Sequence, residues 1–373
     1  MVTYRAARRA NKALFLQVIL ISTFSLGAWC QTQASRSRIV EAQVHSPGLA
    51  HNLLGDSTEQ TVAIYLPVAY DVEPHRRFAT VYLLHGYADT PALGVAKIMQ
   101  EYMDKLLAAA KIEPMIVVAP NGLNRLLGSF YTNSEVTGDW EDYIVRDVVG
   151  YVDKNFRTIA TAESRGLSGH SMGGYGALML GFKHPDVFAY VYAMSPCCTL
   201  LQADLGPASA VWQRREQAKS VGDLPGLLDH ELLVAATIAM SAAFTPDKNL
   251  PPFYGKSPFI RRGKEVIPDP ETLSRFQSNI VAYAIPGLLP KIFKLKGIYI
   301  DYGAEDEFSH IPVGAQAVSA ELSAAGVPHT LEVYEGSHGS RVRQQVENRL
   351  IPWFSMQLRH ESAKHAAGIK DSR

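Results

Sequence analysis

The segment RGLSGHSMGGYGALMLG, residues 165–181, sets one serine, Ser171, among Gly169, Gly173, Gly174, Gly176 and Gly181. Glycine weakens a helix by up to about 1 kcal/mol per residue relative to alanine, yet Ala177 to Leu180 is good helix-forming sequence. The order Gly169-His170-Ser171-Met172-Gly173 resolves the conflict, because it fits the G-x-S-x-G turn that joins a strand to a helix. That turn is so tight that side chains at the flanking glycines would strike neighbouring backbone. It strains the serine and lifts its hydroxyl above the positive end of the following helix. The chemistry such a hydroxyl serves is nucleophilic attack on an acyl carbon.

A serine hydroxyl attacks only when a base takes its proton. In a strand-to-helix turn of this kind, an acid and then a histidine follow the serine in sequence. Both belong on loops beyond the carboxyl ends of late strands. The run HTLEVYEGSHGS places His338 in a small-residue turn just after the last strand-like segment. His329 lies at the other end of that segment, His360 and His365 fall near the terminus, and His310 sits too close behind the acid loop. The acid comes from IDYGAEDEFSH, where Asp301 ends a strand and Glu305, Asp306 and Glu307 occupy the loop. Position alone does not choose among the three. Two N–H donors must meet the oxyanion: the amide after the nucleophile, at Met172, and one from the loop LLHGYADT, where Gly86 admits close approach and Tyr87 carries the amide. His85 precedes the serine and is read as a brace for this loop.

Positioning these groups requires a sheet. Short runs rich in Val, Ile and Tyr occur at residues 61–67, 78–86, 114–120, 164–169, 188–195, 295–303 and 329–336. They are bounded by Gly, Pro or Asn and read as strands. Helix-period segments lie between them. In WEDYIVRDVVGYVDKNF, Ile144, Val145, Val148, Val149 and Val152 share a face, and residues 313–326 form another such segment. Strand-helix alternation predicts an α/β fold with a mostly parallel sheet covered on both faces. Residues 200–294 break the rhythm, show no obvious strand, and are expected to form a helical cap inserted between two late strands. Trp212, Met240, Phe244, Phe253, Tyr254 and Phe259 within it suggest an apolar or aromatic binding surface.

The 373 residues are 47% hydrophobic and 19% charged, and Lys+Arg and Asp+Glu both total 36. A balanced chain offers no global field toward nucleic acid or an anionic membrane. Arg5, Arg8, Arg9 and Lys12 precede the uncharged run ALFLQVILISTFSLGAWC. This is the pattern of a secretory signal peptide over about residues 1–30, cleaved after Ala28, Cys30 or Ala34. A hydrolytic domain over 38–359 and a polar tail over 360–373 follow, so a secreted or periplasmic protein is expected, with no stable membrane span after cleavage. Of three cysteines, Cys197 and Cys198 are adjacent and Cys30 lies in the leader. That is no disulfide framework, and two buried small hydrophobes are expected at 197–198.

YLLHGYAD, GDWEDYIVRDVVGYVDKNF, GLSGHSMGGYGAL, DYGAEDEF and YEGSHG recur in an order and spacing that resembles the esterase D-like branch of the α/β-hydrolases. That branch includes S-formylglutathione hydrolases, feruloyl and acetyl-xylan esterases, enterochelin-type esterases and mycolyltransferases. The resemblance covers roughly residues 40 to 355. It implies an α/β-hydrolase fold, and its acid pattern D-x-G-x-x-D assigns the acid to Asp306. It also implies Ser171 as nucleophile, His338 as base, and the Tyr87 and Met172 amides as the oxyanion hole. No cofactor or metal is implied. The expected substrate is a small-molecule or glycan-linked carboxylic ester, and export argues against a glutathione thioester. Acyl transfer of mycolyltransferase type, amide cleavage, and a non-catalytic binding module are the competing readings.

Overall fold

The computed structural model describes residues 36–89, 92–263 and 265–361. The leader expected over residues 1–30 and nearly all of the tail lie outside the described residues. No helix among the described residues is long and apolar enough to cross a membrane.

Eight strands form one sheet: β1 (Arg38–His45), β2 (Glu59–Leu66), β3 (Ala79–Leu84), β4 (Met115–Pro120), β5 (Arg165–His170), β6 (Tyr190–Met194), β7 (Gly297–Gly303) and β8 (Thr330–Tyr334). Their order is β1-β2-β4-β3-β5-β6-β7-β8. Strand β2 is antiparallel to both of its neighbours, and every pair from β4 to β8 is parallel. Each run read as a strand from the sequence is a strand here. β1 was not legible, because it is an edge strand in which only Ala42 and Val44 are buried, Ile39 and Val40 are half-buried, and the other four residues are exposed and polar or charged.

Both faces of the sheet are covered, which is why β4 and β6 carry apolar side chains on both faces. Tyr82 and Leu84 of β3, Ile116 and Val118 of β4, and Val191 and Ala193 of β6 point into one core. Val81, Leu83, Met115, Val117, Tyr192 and Met194 point into the other. Helix α1 (Ala92–Ala108) and the C-terminal helical segment through Phe354 pack on the second face. The first face receives α2 (Met172–Lys183) and the helical run from Trp140 to Asn155. The five residues assigned to one face of that run, Ile144, Val145, Val148, Val149 and Val152, are all buried.

Residues between β6 and β7 carry helices α3 (Leu232–Phe244), α4 (Pro270–Gln277) and α5 (Val281–Ile292), with α6 (His310–Ala324) following β7. The expectation of no strand in this stretch is corrected by an antiparallel hairpin, Phe259–Arg262 with Glu265–Pro268. Its strands are short and mostly exposed, so they lack the apolar signature of a core strand. Trp212, Met240, Phe244 and Phe259 are buried in packing. Phe244 stacks edge-on to Phe130 and Phe276, and Trp212 to Phe259 and Phe276. Phe244, which also meets Tyr175 of α2, ties the insertion to the body, and the Trp212 contacts lie within the insertion.

One carboxylate sits inside the sheet. Asp301 of β7 is fully buried and accepts hydrogen bonds from the Tyr192 hydroxyl at 2.7 Å and Gln345 Nε2 at 3.4 Å. Burial outweighs these bonds and raises its pKa to about 7. An unfolded aspartate titrates near about 3.9, so between these values the folded chain binds more protons than the unfolded one. Folding stability from this group therefore falls as pH rises from about 4 to 7 and is level above. Asp301→Asn is expected to flatten the stability profile over that window, as read by denaturant midpoints taken across pH. An unchanged slope would show that Asp301 does not carry it.

Candidate active site

Ser171 joins β5 to α2 with φ 57° and ψ −115°, a conformation that non-glycine residues rarely adopt. The strain is held from several sides. The Ser171 amide donates to the Met194 carbonyl at 3.0 Å, and its carbonyl accepts from the amides of Tyr175 and Cys197. The glycine pattern has the steric origin expected. A Cβ on Gly173 would lie 2.0 Å from the Leu84 carbonyl oxygen, and one on Gly169 would lie 2.4 Å from the Gly173 carbonyl carbon. β3, β5 and the first turn of α2 thus approach as closely as backbone allows.

His338 follows β8, and Asp306 follows β7, the neighbouring strand. Gly303 lets the two loops touch, since a Cβ there would fall 2.2 Å from the Gly336 carbonyl oxygen. His338 Nδ1 lies 2.8 Å from Asp306 Oδ2, and the Asp306 side chain is fully buried. The other Asp306 oxygen accepts the Phe308 amide at 3.0 Å. A carboxylate at Nδ1 assigns the proton to that nitrogen and leaves Nε2 as the basic lone pair. Ser171 and His338 line the same open cleft of about 450 Å³, together with Tyr87, Phe308, Leu232 and Arg343.

Three further residues hold the histidine, in roles that the sequence does not assign to them. Glu307 Oε2 accepts the His338 amide at 2.9 Å. Burial alone would raise the Glu307 carboxyl, but that amide and the nearby imidazole bring it below its ordinary value. His170 Nε2 donates to the His338 carbonyl at 2.9 Å, with ring centres 4.5 Å apart. Burial and the neighbouring His338 lower its pKa to about 4, so it stays neutral. The Phe308 ring meets His338 edge-on at 5.0 Å. His170 stands inside the pentapeptide, whereas Glu307 is legible in the sequence only as one of three candidate acids.

The loop after β3 carries Tyr87, whose hydroxyl donates to the Leu126 carbonyl at 2.8 Å and whose ring packs on Phe130. Ala88 beside it has φ 52° and its amide donates to the Leu127 carbonyl. Met172 is the first residue of α2, where helix geometry leaves amides without an intrahelical acceptor. His85 braces this loop as the sequence predicts. Its Nδ1 donates to the Gly86 carbonyl at 2.8 Å and its Nε2 accepts the Gly122 amide at 2.7 Å. Of the other histidines, His329 pairs with Ser319 and the Val327 carbonyl, His360 with the Ser355 carbonyl, and His310 with Asp204. His365 lies outside the described residues. Cys197 and Cys198 are both buried free thiols.

The family described as "Putative esterase" matches residues 57–346. The chain is 30% identical over 138 residues to an endo-1,4-beta-xylanase/feruloyl esterase of Xylanibacter ruminicola, a match covering 35% of this chain and 19% of that protein. It is 30% identical over 98 residues to an S-formylglutathione hydrolase of Arabidopsis thaliana, covering 25% and 32%. The matches thus span about a fifth and about a third of those relatives' length. Among solved structures, a ferulic acid esterase superposes with a TM-score of 0.59 at 19% identity, over 87% of this chain and 99% of that one. The fold is that of the α/β-hydrolase esterases.

The clearance at Gly173 generates a prediction. Gly173→Ala forces a methyl group into the Leu84 carbonyl, so it should destabilise the chain by more than about 3 kcal/mol or prevent soluble expression. Denaturant unfolding checks this, and a variant of unchanged midpoint would contradict the packing described.

Proposed function

The chain belongs to the esterase family, and from that premise we propose that it is an exported serine carboxylesterase acting through Ser171, His338 and Asp306. The observation that carries the reading is the buried Asp306 carboxylate 2.8 Å from His338 Nδ1, at a cleft that Ser171 shares. In this reading His338 Nε2 takes the Ser171 proton as the hydroxyl oxygen attacks the ester carbonyl. Asp306 keeps the imidazole oriented and stabilises its positive charge. The Tyr87 and Met172 amides receive the developing oxyanion. His338 then protonates the departing alcohol, and water activated by the same nitrogen releases the acid from Ser171.

The shape of the site supports a substrate class. The open side of the cleft, about 450 Å³, has room for a bulky alcohol such as a sugar. An adjoining space of only about 20 Å³ is lined by Ser171 with Phe308, Leu232 and Cys197. That is near the size of one water. A short acyl group, formyl or acetyl, on a large alcohol is the ester this division favours. The basic, apolar leader of the sequence supports export.

Ser171→Ala should lower kcat/KM on p-nitrophenyl acetate by at least about 10⁴-fold with an unchanged thermal midpoint, and Asp306→Asn should lower kcat about 10³- to 10⁴-fold. Retained turnover in Ser171→Ala would refute the assignment. Across p-nitrophenyl esters, acetate should exceed butyrate by about tenfold or more in kcat/KM, each added methylene meeting the narrow wall. A preference for the longer chain would overturn the short-acyl reading.

A further inference from the structure

The narrow space behind Ser171 has chemistry of its own. Cys197, Cys198 and His310 line it together with Phe308 and Leu232. Ser171, Phe308 and Leu232 also line the open cleft, so the two spaces adjoin. Cys197 comes just after β6, and its amide donates to the Ser171 carbonyl at 3.1 Å. The position of this thiol is thereby tied to that of the serine.

His310 opens α6 and is only 1% exposed. Its Nδ1 lies 2.7 Å from Asp204 Oδ1, and the same oxygen accepts the His310 amide at 2.8 Å. Its Nε2 is buried and has no hydrogen-bond partner of regular geometry among the described residues. An imidazole braced by a carboxylate on one nitrogen, with the other open beside a thiol, is the arrangement that activates a cysteine. Burial alone would lower the His310 pKa, but Asp204 and the Cys197 sulfur raise it to about 9. Burial likewise raises the Cys197 thiol, but the Cys198 thiol and the His310 imidazole outweigh it and bring Cys197 below its ordinary value, with His338 acting in the same direction. Cys198 goes the other way, raised by burial and by Cys197. Of two adjacent cysteines, one is set up as a nucleophile.

We propose that Cys197 is a second nucleophile of this chain, paired with His310 and Asp204, and that its modification by a small electrophile or peroxide entering through the Ser171 cleft fills the narrow space and stops turnover. The loss of turnover rests on the esterase reading; the reactivity of the thiol does not. With methyl methanethiosulfonate, the Cys197 sulfur attacks the sulfenyl sulfur, a new S–S bond forms, and methanesulfinate leaves with the electron pair of the broken bond. With hydrogen peroxide the sulfur attacks one oxygen and the O–O bond breaks. His310 Nε2 gives its proton to the departing hydroxide, leaving a sulfenic acid and water.

The test treats wild type and Ser171→Ala with methyl methanethiosulfonate at about pH 6.5, where an ordinary thiol is about 1% ionised, and maps the adduct by mass spectrometry. One methylthio group on Cys197 and none on Cys198 is expected in both proteins. His310→Asn and Asp204→Asn should each label at least about tenfold more slowly and recover as pH rises through about 8.5, which a merely structural lesion would not do. Wild-type ester turnover should fall in step with labelling and return on reduction by dithiothreitol. Turnover of Cys197→Ser, measured against its own untreated control, should be indifferent to the reagent. Labelling on Cys198, or on Cys197 only after unfolding, overturns the thiol assignment. Complete Cys197 labelling with undiminished turnover overturns the blockade. A wild type with no ester turnover refutes the esterase reading, and labelling of Ser171→Ala then still decides the thiol.

Discussion

A single hydrogen bond, 2.8 Å from a buried Asp306 oxygen to His338 Nδ1, gives the rest of the structure its meaning. A carboxylate without exposed surface is expensive to keep ionised unless donors meet it. Asp306 has two, the imidazole and the Phe308 amide. The imidazole therefore has a fixed tautomer before any substrate arrives. Everything around it limits the loop's freedom. Gly303 brings the two loops together, Glu307 holds the His338 amide, and His170 holds its carbonyl. The last of these bonds comes from the residue just before Ser171, so His338 and Ser171 are positioned by one stretch of chain.

The sheet serves the same end from beneath. β5 lies between β3 and β6, and a Cβ at Gly173 or Gly174 in the helix leaving it would fall under 3 Å from the backbone of Leu84 on one side or Met194 on the other, so only glycine fits. The strained Ser171 backbone persists because Met194, Tyr175 and Cys197 all bond to it. The aromatic residues between β6 and β7 were expected to offer a binding surface. Phe244 instead packs on Phe130 and on Tyr175 of the serine's own helix, Trp212 packs on Phe259 and Phe276, and none of these aromatic residues lines the cleft.

Local constraints made much of this readable in the sequence. The G-x-S-x-G turn is a steric necessity of consecutive residues, and His338 is identified by its place after a strand. The apolar strands of a sheet covered on both faces announce themselves by composition. Asp306 was different, since spacing left Glu305, Asp306 and Glu307 equivalent and only the family pattern separated them. What stayed hidden depends on distant segments meeting. Glu307 became a ligand for a backbone amide because β8 lies beside β7. His310 was set aside as a base for Ser171, and nothing in the sequence places Asp204 and Cys197 beside it. Edge strand β1 and the hairpin at Phe259–Arg262 escaped notice because they bury too little to leave a pattern.

The central claim is that His338, held by Asp306, makes Ser171 nucleophilic. A fluorophosphonate reports this without any assumption about the natural ester, because it traps an activated serine covalently. Its rate of attachment to Ser171, mapped by mass spectrometry in wild type and in His338→Gln, is the most direct measurement. The structure predicts rapid labelling of Ser171 that falls by about 10³-fold or more when the imidazole is lost. Labelling that ignores the substitution, or that never reaches Ser171 in the folded wild type, would contradict the account.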